Sequence, residues 1–188
     1  FLWSAADEVM YDLGTLGGTH SRAAAINNQG VVVGFAQTAA SDDHAFVWEP
    51  DSRTMRDLGT LGGSCSYAYD IHDEGMVVGH SQTEDGGVRA FQWTPGAHGL
   101  AEVESLDGLV SYAFSVSAQG HVSGYARLHD GPFHGIVWDV PQGAVTDLGS
   151  FAEDFIRAYQ IGPDGRIASY DAAPHGRNYA ARWNPATG

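Results

Sequence analysis

The stretch Met55-Arg56-Asp57-Leu58-Gly59-Thr60-Leu61-Gly62-Gly63, read with the Trp48 that precedes it, decides the fold. Its twin lies forty-five residues upstream, as Met10-Tyr11-Asp12-Leu13-Gly14-Thr15-Leu16-Gly17-Gly18. Weaker copies follow at the same interval, at Glu102-Val103-Glu104-Ser105-Leu106 and Asp147-Leu148-Gly149-Ser150-Phe151. Trp3, Trp48, Trp93, Trp138 and Trp183, all the tryptophans of the chain, keep that beat. So do Gly30, Gly75, Gly120 and Gly165, and Gly34, Gly79 and Gly124, with Ser169 in the fourth copy. An ungapped period of this length marks a propeller or solenoid unit.

Inside the best copy, four short strands are expected. Arg22-Ala23-Ala24-Ala25-Ile26 runs into Asn27-Asn28-Gln29-Gly30, a turn whose glycine suits positive φ. Val31-Val32-Val33-Gly34-Phe35-Ala36 is β-branched and bounded by polar residues. Ala45-Phe46-Val47-Trp48 is the third strand; Glu49-Pro50 breaks it, because proline cannot donate into a ladder. The fourth runs from Thr54 to Leu61. No apolar period of 3.6 residues is long enough for a helix. The chain therefore reads as all-β, a β-propeller of four 45-residue four-stranded repeats over residues 1–188. The units are 19–63, 64–108, 109–153 and 154–188 plus 9–18. Closure by pairing of the N-terminal strand with the C-terminal blade is the first expectation. Part of a larger propeller, or a ring made by two chains, is the alternative.

Position in the repeat sorts the conserved-looking residues of the chain into roles. The first strand should be innermost, with Ile26, Ile71, Val116 and Ile161 in register and Ala23, Ala68, Ala113 and Ala158 letting neighbouring blades approach. The tryptophans should pack between blades beside Phe46, Phe91 and Ile136. Asp12, Asp57 and Asp147 should hold turns through side-chain to backbone hydrogen bonds.

Composition excludes several functions. The net charge is −14, all nine basic residues are arginine, and there is no lysine. Such a surface suits neither nucleic acid nor anionic membranes, which need a cationic patch. Codon bias and a salty habitat both remain open as the cause of the missing lysines. No apolar run approaches the roughly 20 residues of a membrane helix. Cys65 is the single cysteine, so an internal disulfide is not available. Phe1-Leu2-Trp3 aligns with Phe46-Val47-Trp48 in mid-repeat, so the chain reads as a piece of a longer precursor whose signal peptide lies outside it.

Asp43-His44-Ala45-Phe46-Val47-Trp48, the two DLGTLGG runs and Ala25-Ile26-Asn27-Asn28-Gln29-Gly30-Val31-Val32-Val33-Gly34 resemble the HAF family of probable extracellular bacterial repeats. The name-giving tripeptide is present at His44-Ala45-Phe46; the other copies read Arg89-Ala90-Phe91, His134-Gly135-Ile136 and Tyr179-Ala180-Ala181. The resemblance covers essentially the whole chain, strongest in the first two copies. It implies an exported or cell-surface bacterial protein with a propeller-like fold, and it brings no reaction and no catalytic residues.

Loops on a rigid scaffold carry binding. One face of the expected propeller gathers His20, His44, His129 and His134 among acidic loops, and near the axis positions 22, 67, 112 and 157 read Arg22, Tyr67, Tyr112 and Arg157. Together these eight are the candidate ligand-binding set. The 24 series, Ala24, Tyr69, Phe114 and Tyr159, joins them as lining of the channel or as packing between blades. Aromatic platforms with polar rims suit sugars and peptides.

No catalytic residue is assigned, for the chain has no Gly-x-Ser-x-Gly elbow, no Cys-His signature and no phosphate-cradling loop. Ser41-Asp42-Asp43 and Glu84-Asp85-Gly86-Gly87 lack the alternating carboxylates of a calcium loop, and no metal or cofactor is expected. The expected function is a non-catalytic extracellular binding or scaffold module for a glycan, peptide or partner protein. The alternative is a polymer-degrading lyase or hydrolase with a His/acidic site at the channel mouth. End-to-end strand pairing would make a homo-oligomer.

Overall fold

The computed structural model describes residues 1–5, 8–103, 110–127, 131–149, 155–173 and 177–183. Of these, the side chains at 155–159, 170–173, 177–181 and 183 lie outside the description. Every regular element among the described residues is a strand. A hairpin, β1 (Leu2–Ser4) and β2 (Val9–Tyr11), opens the chain. The first repeat is β3 (Gly17–Ile26), β4 (Val32–Thr38), β5 (Asp43–Glu49) and β6 (Thr54–Asp57). The second is β7 (Gly62–Ile71), β8 (Val77–Thr83), β9 (Val88–Trp93) and β10 (Ala101–Glu102). The third is β11 (Val110–Val116), β12 (His121–Arg127), β13 (Phe133–Asp139) and β14 (Ala144–Asp147). The fourth contributes β15 (Phe155–Ile161), β16 (Ile167–Ala173) and β17 (Arg177–Trp183).

Within each repeat the strands pair in sequence order and antiparallel. The second, third and fourth repeats are joined at one strand end, through parallel bridges Val88↔Val110 and Phe133↔Phe155, while the first forms a sheet of its own. The four glycines of the first turn all have positive φ, between +76° and +88°.

The DLGTLGG run turns the chain from one repeat into the next. Asp57 Oδ1 accepts the Gly59 N–H at 2.7 Å, as Asp12 does for Gly14 and Asp147 for Gly149. Thr60 Oγ1 then takes the Gly62 N–H and donates to the Gly63 carbonyl, and Thr15 repeats both bonds. The expected strand boundaries shift for this reason. The fourth strand stops at Asp57, where the carboxylate captures the backbone, and the last glycines begin the next first strand.

Every first strand carries a bulge, with the register slipping between Ala23 and Ala25, Ala68 and Asp70, Ala113 and Ser115, and Ala158 and Gln160. The bulge explains the second glycine series. A Cβ on Gly34, Gly79 or Gly124 would stand 1.9–2.0 Å from the carbonyl oxygen of Arg22, Tyr67 or Tyr112. A bulged strand presses its backbone onto its neighbour, and only hydrogen fits between them.

The core lies between repeats. Trp48 packs with Phe46 on Leu13, Trp93 with Phe91 on Val33, Val47 and Leu58, and Trp138 with Ile136 on Val78 and Val103. These three tryptophans thus pack between repeats, as the sequence implies, each on residues of the repeat before it. Serine stitches the same junctions. Ser66 donates to Gly59 O at 2.6 Å and accepts the Ala45 N–H at 2.8 Å; Ser21 reaches Gly14 O, and Ser111 takes the Ala90 N–H. The inner turns join as well, with the backbone and side chain of Asn28 both donating to Asp73. Those two bonds hold the Asp73 carboxyl below the usual carboxylate range.

The expected intramolecular closure is not what the chain does. β2 pairs with β1, in the register Trp3↔Met10, and among the described residues it pairs with no strand of the fourth repeat. A hairpin with a short connection closes at little entropic cost, whereas pairing with β17 must close nearly the whole chain. In consequence the outer face of β1, β2 and β3 is bare: Trp3, Met10 and Ile26 are each more than half exposed. The register position of Ile26, expected at the core, is buried only in the repeats that follow another full repeat, at Ile71, Val116 and Ile161.

Candidate functional site

The inner strands bring Tyr67 and Tyr112 into one continuous run of rings. Phe35 of β4 meets Tyr67 of β7 edge-on at 4.9 Å between centroids. His80 of β8 stacks on Tyr67 at 5.0 Å and on Tyr69 at 5.4 Å, and reaches Tyr112 of β11 at 4.7 Å. Phe114 follows Tyr69 at 5.3 Å, and Tyr125 of β12 lies 4.8 Å from Tyr112 and 5.2 Å from Phe133. His20 stands at the other end, edge-on to Phe35 at 6.5 Å. The tract therefore crosses three repeats.

Its geometry follows from the bulge. Residues 67 and 69 flank an alanine that is packed into the junction with the first repeat, and the slip at 69 keeps both rings beside the second strand. Phe35, Tyr67, Tyr69, Tyr112 and Phe114 are half-buried. They pack between repeats and also present surface.

Burial tunes the tract. The imidazole of His80 has its pKa pushed down to about 4, because burial penalises the charged form. Among the described residues its buried Nδ1 has no hydrogen-bond partner. The Tyr67 phenol is pushed up to about 12, first by burial, then by the neighbouring Cys65 and Asp43. Near neutrality both rings are uncharged, which suits stacking rather than proton transfer.

The other sequence candidates are dispersed. His20 lies at the mouth of the tract, its Nε2 2.9 Å from Asp43 Oδ1. Arg22 is exposed on β3, paired across the ladder with Phe35. His44 and His134 are not part of a common pocket. Their Nδ1 atoms lie 2.9 Å from Asp57 and Asp147, and each pair ties a third strand to the turn that follows its fourth. In the second repeat Arg89 and Glu102 occupy the same positions, with Nε–Oε1 at 3.1 Å. A clamp repeated in this way is architecture. His129 lies outside the described residues, as does the side chain of Arg157, whose backbone pairs with Tyr170. Cys65 is partly buried, and its thiol donates to Gln82 Oε1 at 3.7 Å.

Sequence reading missed the middle of the tract. Phe35, His80 and Tyr125 share one repeat position, and inspecting that column would have shown a ring in every copy down to Tyr170. Among the described residues no three His, Cys, Asp or Glu side chains converge as metal ligands would.

Comparison with known proteins speaks to the fold. No family model matches the chain, and no curated protein matches it. Among solved structures it is similar to TolB from Acinetobacter baumannii, a β-propeller, with a TM-score of 0.58 and 13% identity over 86% of this chain. The match spans 43% of that TolB chain. The chain thus shares a propeller-like all-β fold with TolB.

Proposed function

We propose that the chain is a non-catalytic binding or scaffold module that takes a glycan, peptide or partner protein on the aromatic tract of its inner strands. The observation that carries this reading is the unbroken sequence of rings from Phe35 through Tyr67, His80 and Tyr112 to Tyr125. Flat, half-exposed rings offer a sugar ring or an apolar side chain a stacking surface, and Arg22 and His20 supply a polar rim. The HAF-like motifs support an extracellular bacterial setting. The bare face of β1–β3 supports a ring larger than four blades, of which these repeats are one arc.

The His20–Asp43 pair favours a second reading, a polymer-degrading lyase or hydrolase at the tract mouth. One experiment separates them. Soluble oligosaccharides and peptides are titrated against the protein, its Tyr112→Ala variant and its His20→Ala variant. Binding that Tyr112→Ala weakens about tenfold, in line with the loss of a stacking contact, with no product formed, supports the module. Turnover that His20→Ala abolishes supports the enzyme and overturns the module.

A further inference from the structure

Away from the aromatic tract, one row of side chains in each repeat looks toward the repeat that follows. The row crosses three strands. It reads Ala25, Val33 and Val47 in the first repeat, Asp70, Val78 and Gln92 in the second, and Ser115, Ser123 and Val137 in the third. Each row is met by the next first strand. Val33 and Val47 share a core with Ala68 and Ile71, Val78 with Ala113 and Val116, and Val137 with Ile161. Where the row carries a charge, the next strand answers it: Asp70 Oδ2 accepts the Ser115 hydroxyl at 2.7 Å and the Val116 N–H at 3.0 Å.

In the fourth repeat the same row reads Gln160, Ala168 and Arg182, opposite one another across β15, β16 and β17. Arg166 joins them, at the position where Val31 and Met76 pack on the cores of their repeats. All four residues are exposed, and with Gly162 and Ile167 they line a shallow cavity of about 240 Å³. Two of the nine arginines in a chain of net charge −14 thus meet on one face. Arg166 holds Asp164, Nη1 to Oδ2 at 2.6 Å, whereas Arg182 has no ion-pair partner among the described residues. An apolar blade laid on this face would strip water from that guanidinium and leave it unpaired, which costs more than burial of Ala168 returns.

We propose that this face of the fourth repeat binds an extended segment of a partner polypeptide through an Asp or Glu side chain held by Arg182. The three internal junctions specify the form of the segment, since a strand meets the row in each. Arg182 and Gln160 specify the carboxylate: guanidinium and carboxamide N–H groups both donate to its oxygens, and the small Ala168 between them leaves room. At roughly 30 Å³ per water molecule, the cavity admits one such side chain with its stem.

The test titrates the peptide acetyl-Thr-Asp-Thr-Asp-Thr amide against the protein at low salt and follows the Gln160 side-chain amide by NMR. The same peptide with asparagine in place of aspartate, and glucuronic acid, are the controls. The proposal expects a saturable shift with the acidic peptide and none with either control. Arg182→Val, which installs the valine that the first and third repeats carry there, should weaken binding about tenfold, the loss of one charge-assisted bond. Should Arg182→Val not fold, Arg182→Gln, which keeps a polar side chain, should show the same loss. Equal shifts with the asparagine peptide or glucuronic acid, no saturation, or unchanged affinity in either folded variant would overturn it. Self-association that Arg182→Val abolishes would assign the face to a second copy and overturn it as well.

Discussion

The first strands β3 and β7 are built from the same motif, yet they live in different surroundings. Both begin in the Gly-Gly of DLGTLGG, both carry the bulge, and both pair with a second strand in the same register. β7 is buried or half-buried along most of its length, with Ser66 and Ala68 fully enclosed, whereas β3 is exposed along most of its length. The tryptophans tell the same story, from 53% exposed at Trp3 to 4% at Trp93. What differs is a neighbour. In such an array the hydrogen-bonded ladder belongs to the repeat, while the hydrophobic stabilisation belongs to the junction between repeats. A sequence motif therefore encodes half of an interface, and its contribution depends on whether the other half is there.

The largest effects should come from removing one side of a junction. Trp93→Ala is expected to cost about 3–5 kcal/mol in denaturant unfolding, as large aromatic truncations in cores do, and Trp3→Ala about 1 kcal/mol or less. Equal losses would break the contrast between end and interior.

Substitutions acting inside a repeat should ignore position. Gly34→Ala and Gly79→Ala each set a Cβ about 2 Å from a carbonyl oxygen of the bulged strand. Each is expected to cost about 3 kcal/mol, at the upper end of overpacking effects. The two should agree although one repeat is terminal and the other internal. A markedly milder Gly34→Ala would mean that the terminal bulge relaxes freely.

Acid should act first on the interior. His80 has a folded pKa of about 4 against an unfolded value near 6.5, so the unfolded chain takes up a proton that the folded chain refuses. Stability is full above the unfolded value and falls as pH drops from about 6.5 to about 4, by up to about 3 kcal/mol. His80→Phe, which copies Phe35 of the first repeat, should flatten that acid limb; an unchanged slope would remove the buried imidazole from the account. A smaller test is the serine stitch. Ser66→Ala strands a buried Ala45 N–H and should cost about 1–2 kcal/mol, against a few tenths for the exposed Ser21→Ala.

The repeat made the architecture legible, because the tryptophans and glycines that mark it are required by packing in each copy. The turn role of Asp57 and the junction role of Trp93 could be read from residue type and spacing alone. What stayed hidden needed register across two chains of contact. The bulge is visible only once Ala68 is set against Gly79, and the ring of His80 matters only because Tyr112 of the next repeat comes to meet it. His44 and His134 were ligand candidates; a histidine at a strand entrance reads the same whether it faces a ligand or Asp57. The closure failed on the same ground, since length arithmetic counts strands but does not weigh a local hairpin against a distant partner.

The central claim, that each repeat completes its core on the preceding one and that the first face stays bare, is tested most directly by fluorine NMR. The dilute monomer is labelled with 5-fluorotryptophan, and the solvent isotope shift of each resonance is measured in light and heavy water. Trp3 should show a large shift, while Trp48, Trp93 and Trp138 should show almost none. A buried Trp3, or an exposed Trp93, would contradict it.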